Sequence, residues 1–155
     1  MLSKLNIGER ILLTLWVGGT WAIGYIAAPS LFASIEDRQL AGAVAGEMLR
    51  AILSIGLICS VLLLVSGVLS GLNTALKSWR WWLIVVMLLI ILVSLFGIHP
   101  MIAELKLQKE TMDALEYKFQ FGKLHGLSAG VYLLLSILGL ILVAFGLRRP
   151  SPERI

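Results

Sequence analysis

Trp81-Trp82-Leu83-Ile84-Val85-Val86-Met87-Leu88-Leu89-Ile90-Ile91-Leu92-Val93-Ser94-Leu95-Phe96-Gly97-Ile98 is a run without one Asp, Glu, Lys or Arg. The hydrocarbon core of a bilayer, about 30 Å thick, is crossed by about 20 predominantly apolar residues rising 1.5 Å each in a helix. This run therefore reads as a membrane span. Working outward, three more charge-free runs have the same property: Ile11 to Ile35, Ala51 to Leu76 and Gly126 to Leu147. Nearly all the charge lies between them.

Composition supports this reading. Of the 155 residues, 59% are hydrophobic and 14% charged, against about 25% charged in soluble domains. The expected fold is all-α: a polytopic four-transmembrane-helix bundle, one membrane domain over 1–155 with no room for a separate soluble one. The first run follows Lys4 and Arg10 as a signal peptide would. It is longer than the apolar core of a signal peptide and contains Gly18-Gly19 and two tryptophans, so a retained helix is expected.

With four spans, both termini share one side. That side carries seven of the 13 basic residues (Lys4, Arg10, Lys77, Arg80, Arg148, Arg149 and Arg154) and only Glu9 and Glu153 of the nine acidic ones. Basic residues concentrate in cytoplasmic loops, and Trp79, Trp81 and Trp82 beside Arg80 resemble an interfacial anchor. The expectation is a multi-pass protein of the inner cell membrane with both termini cytoplasmic. The basic residues sit scattered at span ends, a pattern that sets topology and gives no nucleic-acid surface. Cys59 is the single cysteine, which excludes a disulfide framework and a Cys-rich metal motif.

Residues 36–50 read as a helical lead-in to the second span, with Ser34 or Asp37 as N-cap and Gly42 and Gly46 on one face. Residues 99–125 contain opposite charges four apart (Lys106/Glu110, Lys109/Asp113), as on a solvated helix, and an apolar stripe of Ile102, Leu105, Met112, Leu115 and Phe119. Spans three and four should therefore extend outside the membrane as a helical hairpin turning near 111–113.

In lipid, helices approach through small residues. Gly122, Gly126 and Gly130 form such a series, Gly67 with Gly71 a second, and Gly24 with Ala28 a third. These serve packing within the chain or a homo-oligomeric or other membrane-protein interface.

The chemistry-bearing candidates are His99 and His125. About an apex at 112 each lies 13 residues away, which brings both to one height about 20 Å below it. Neutral imidazoles there could hold haem iron, copper or zinc, although two ligands leave a zinc site incomplete. A structural, hydrogen-bonding pair is the plainer alternative. Pro100 should free the Phe96 carbonyl and make the backbone irregular. A polar face is a second candidate: His125, Ser128, Tyr132, Ser136 and Gly139 on the fourth helix, Thr14, Gly18, Trp21 and Tyr25 on the first, and Cys59, Ser66, Ser70 and Asn73 on the second. It would either bond neighbouring helices or line a small-ligand cavity. No span contains an ionisable carboxylate or amine, which argues against an ion-coupled pump or carrier. Nor is there a nucleophile–base set, a phosphate loop or a paired carboxylate.

Trp16-x-Gly18-Gly19-x-Trp21, Pro29-x-Leu31-Phe32 and Arg38-x-x-Ala41-Gly42-x-x-x-Gly46 resemble the membrane family called domain of unknown function 4149, which includes animal transmembrane protein 205-like chains. His99-Pro100 and Phe121-x-x-Leu124-His125-x-x-Ser128 resemble the same family. The family is distantly similar to copper-resistance D-like membrane proteins and to membrane protoporphyrinogen oxidases, which implies haem and copper biology. Those oxidases carry a His early in the first helix, where this chain has Thr14, and the metal-drug resistance of the animal relative runs through sulfur residues, of which this chain has one cysteine. The leading expectation is thus a protein without a catalytic site, an accessory or partner-binding subunit. The alternatives are a haem- or metal-binding protein using His99 and His125, and a small-solute channel.

Overall fold

The charge-free runs fold as helices in the computed structural model, which describes residues 2–146 and side chains from residue 7. Leu147, Arg148, Arg149, Glu153, Arg154 and the side chain of Lys4 lie outside the described residues. The elements are α1 (Leu2–Ala22), α2 (Ala28–Ser34), α3 (Arg38–Leu69), α4 (Leu72–Leu76), α5 (Trp79–Val93), α6 (His99–Leu107) and α7 (Ala114–Gly146). They build four helices long and apolar enough to cross a bilayer: Ile7–Ser34, Arg38–Leu69, Trp79–Glu110 and Ala114–Gly146. The chain is an all-α four-span membrane bundle. The spans pack in a ring, first on second, second on third, third on fourth and fourth back on first.

Two π-turns join helical pieces within spans: Ile23–Ala27 between α1 and α2, and Ser94–Ile98 between α5 and α6. Each ends one residue before a proline's own neighbour, at Ala28-Pro29 and His99-Pro100. A proline ring collides with the carbonyl four residues back and offers it no N–H. The collisions would fall on Tyr25 and Phe96, and both sit inside the widened turns. The ladder is carried past them by i→i+5 bonds, Ala28 N–H to the Ile23 carbonyl and His99 N–H to the Ser94 carbonyl. The irregularity expected at Phe96 is therefore real, and the first span repeats it.

The partner helix of each hairpin begins on an aspartate. Asp37 accepts from the N–H groups of Gln39 (2.8 Å) and Leu40 (3.2 Å), and Asp113 from those of Leu115 (3.0 Å) and Glu116 (3.3 Å). These carboxylates answer backbone donors that a helix start leaves unpaired. The chain thus contains two similar hairpins, each with a proline-linked π-turn and an aspartate cap.

The lead-in and second span are one helix, ending at Leu69 because Gly71 takes φ +130°. Gly71 is therefore the turn residue before α4, so it does not pack with Gly67 along one helix face. Gly67 lies against the Trp81 ring. The core is filled by Leu13 and Trp16 from α1, Leu53, Cys59 and Leu63 from α3, Ile84, Met87 and Ile91 from α5, Leu95 from the second π-turn, and Leu135 and Leu142 from α7. Apolar residues such as Ile58, Leu89 and Leu140 point outward, as they should where the solvent is hydrocarbon.

The hairpin of spans three and four turns at 111–113, after a 3₁₀ turn over Gln108–Glu110. Its apolar stripe divides: Leu105 is buried, whereas Leu115 and Phe119 are 77% and 63% exposed. The expected Lys106/Glu110 and Lys109/Asp113 pairs do not close, because α6 stops at Leu107 and Asp113 is taken by the cap. Replacing Gly71 by Ala should cost about 1–3 kcal/mol, since a Cβ is disfavoured at this φ; chemical unfolding in detergent measures it.

Candidate functional site

The π-turn of the first span is held by the fourth. The Tyr132 hydroxyl donates to the Thr20 carbonyl at 2.7 Å, and the same oxygen faces the Gly24 backbone N–H. A side chain from α7 thus bonds the backbone of α1 one turn before Gly24. Only glycine fits beneath it: a Cβ at position 24 would collide with Cε1 of the Tyr132 ring. The expected pairing of Gly24 with Ala28 is thus replaced by a seat for Tyr132. π-Turns concentrate at functional sites, and this one carries an aromatic group. The Trp21 and Tyr25 rings are 4.8 Å apart, and those of Tyr25 and Tyr132 6.4 Å. The Trp21 indole N–H donates to the Ser136 carbonyl at 3.3 Å.

The four buried hydroxyls turn back on their own helices. Thr20 donates to the Trp16 carbonyl, Ser60 to Leu57, Ser94 to Ile90 and Ser136 to Tyr132. The inward face of α1 is Leu13, Trp16, Val17 and Thr20, whereas Thr14 and Gly18 are exposed. Trp21 and Tyr25, at 39% and 40% exposure, flank the bundle at its edge. On the second span Cys59 is buried, but Ser70 and Asn73 are exposed. Between Trp16, Val17, Thr20, Met87, Leu135, Ser136 and Gly139 lies a gap that admits no water molecule. The expected polar face of the first helix therefore does not point inward at Thr14 and Gly18: both lie in regular helix upstream of the π-turn, and their polarity and spacing do not fix which face meets the other spans.

His99 and His125 have different surroundings. His99 is half-buried, and the charges that act on it are Arg50 and Glu47 of α3 and Lys106 of its own segment. His125 is exposed and stacks on Phe121, with centroids 5.9 Å apart and planes 7° apart. Phe121 stacks in turn on Tyr117 at 5.8 Å, so an aromatic column runs along α7. Among the described residues no group of three or more His, Cys, Asp or Glu is placed to hold a metal ion.

The glycines of α7 divide into two kinds. A Cβ at Gly139 would lie 3.1 Å from Val17 and 3.6 Å from Met87, but one at Gly122, Gly126 or Gly130 would meet nothing within 4 Å. The latter three, with Leu115, Phe119, Leu133 and Ile137, make an exposed stripe from the hairpin into the span. Ser128 beside them is half-buried. Gly42 meets only Phe32, at 3.7 Å, and Gly46 nothing.

A polar cluster at the end carrying both termini was not legible in the sequence. Glu9 accepts from the Ser66 hydroxyl at 2.9 Å and lies 3.8 Å from the Arg80 guanidinium. It joins three spans, and only their packing brings those residues together.

The family model described as Domain of unknown function (DUF4149) matches residues 11–111, well over half of the chain. No curated protein and no solved structure matches. The matched region contains both π-turns and ends as the hairpin turn begins.

Removing the Tyr132 hydroxyl with Phe should cost about 0.6–1.7 kcal/mol, the measured span for hydrogen bonds between membrane helices. Gly24→Ala should cost more, because the ring must leave its seat. Thermal unfolding of the two variants in detergent tests that order.

Proposed function

The chain belongs to the Domain of unknown function (DUF4149) family, and from that premise we propose that it is a non-enzymatic membrane subunit that binds another membrane helix on the open face of α7. One observation carries this reading: Gly122, Gly126 and Gly130 recur every four residues, and a Cβ added at any of them would meet no side chain or other helix within 4 Å. A flat glycine row lets a second backbone come close, which is how helices associate in lipid. The row continues into Leu115 and Phe119 on the hairpin, apolar side chains 77% and 63% exposed beyond the span. Lipid covers the lower part of the stripe; above it, a protein partner removes these two from water.

The docked helix belongs to a second copy or to another membrane protein, and two measurements separate these. Energy transfer between labelled copies in vesicles reports the first; recovery of a stoichiometric partner from native membranes under mild detergent reports the second. Gly126→Ile and Gly130→Ile should weaken association by about 1–2 kcal/mol, or about 5- to 30-fold. The isolated bundle should unfold within about 0.5 kcal/mol of the unaltered chain, because the new side chains meet only open space. Association unchanged in both variants would overturn the proposal.

Haem or metal ligation by His99 and His125 is the competing reading, checked on the same preparation. Stoichiometric iron, copper or zinc, lost in both His99→Ala and His125→Ala, would displace helix docking as the principal function. A conduit for small solutes gains no support from the interior, whose hydroxyls are bonded to carbonyls and whose central gap admits no water.

A further inference from the structure

We propose that Arg80 holds the phosphate of an anionic phospholipid at the end of the bundle that carries both termini. A guanidinium has five donors in a planar fork shaped for carboxylate or phosphate. In this structure its partner is Glu9, and the contact is long at 3.8 Å. Glu9 is itself engaged, accepting from Ser66 at 2.9 Å through its other oxygen. Among the described residues the buried Nε of Arg80 has no hydrogen-bond partner, nor has the indole N–H of Trp81 next to it. Successive residues thus each keep an enclosed donor unpaired, Trp81 against Gly67 and Arg80 against Gly146, while Arg80 as a whole keeps 29% of its side chain exposed.

The surroundings point to a lipid. Trp79 and Trp82 are 50% and 52% exposed on either side of this position, and the Trp82 indole is fixed by the Leu76 carbonyl at 2.9 Å. Tryptophans in this setting mark headgroup depth. Lys77 and Arg10 add positive charge at the same end. Gly146 closes the inner side of Arg80, since a Cβ there would lie 3.2 Å from Nε. Nε is therefore enclosed against the fourth span, and the exposed 29% of the side chain is the part a headgroup would reach. A phosphodiester gives the fork the oxygen pair that Glu9 supplies poorly.

The test uses the full chain in nanodiscs of phosphatidylcholine with or without phosphatidylglycerol, with retained lipid counted by native mass spectrometry. The chain should retain phosphatidylglycerol preferentially. Arg80→Gln should lower that preference about fivefold, the effect of one cationic side chain at an anionic surface. Arg80→Lys, which keeps the charge without the fork, should lie between. Glu9→Gln should retain the lipid at least as well as the unaltered chain, because it removes the competing carboxylate. Inorganic phosphate should not displace the lipid. Equal preference in Arg80→Gln and the unaltered chain would overturn the proposal, as would no preference at all. Displacement by free phosphate would also overturn it, by making this a soluble-anion site.

Discussion

In hydrocarbon, every backbone N–H and C=O must find a partner inside the protein, and the two proline-bearing spans of this bundle put that constraint under most strain. Each answers with a widened turn upstream of its proline, at Ile23–Ala27 and Ser94–Ile98. Widening shifts the ladder and leaves local carbonyls to be answered from elsewhere. In the first span the answer comes from across the bundle, where Tyr132 donates to Thr20. That bond joins the first span to the fourth and closes the ring of helices. It also accounts for Gly24, whose missing side chain is the space the ring occupies.

Satisfaction of this kind uses up the polar interior. Hydroxyls that could have lined a cavity instead donate to carbonyls a turn back or across a helix contact, and the space between them is filled. What the bundle keeps available lies at its surface: the glycine row of α7, the aromatic column ending at His125, and the basic end around Arg80. Each faces lipid or the water near it. The open surfaces of the described residues thus lie along the sides and one end of the bundle, where the proposed helix and lipid contacts fall.

The same physics explains why glycines with similar spacing serve different ends. Gly24, Gly67 and Gly139 are each pressed by a side chain from a neighbouring span, and a methyl group there would force helices apart. Gly71 is required by its positive φ. Gly122, Gly126 and Gly130 answer no internal demand at all. Spacing alone does not separate these classes, because a four-residue interval marks one face of a helix without saying what lies opposite it.

By itself, the sequence determined the four spans, the hairpin with its turn near 111–113, a cap at Ser34 or Asp37, of which the structure uses Asp37, and the backbone irregularity before Pro100. Each follows from local chemistry: runs of apolar side chains without charge, a carboxylate ahead of a helix, a ring without an N–H. Only the tertiary structure decided which faces are inside. Within α1, upstream of its π-turn, the four-residue spacing of Thr14 and Gly18 marks a face without saying what lies opposite it, and the inward face is the adjacent one of Leu13, Trp16, Val17 and Thr20. The meeting of Glu9, Ser66 and Arg80, the seat of Tyr132 on Gly24 and the openness of the α7 glycines depend equally on how four helices are placed around one another. Such contacts join residues far apart in the chain, and no local pattern encodes their distance.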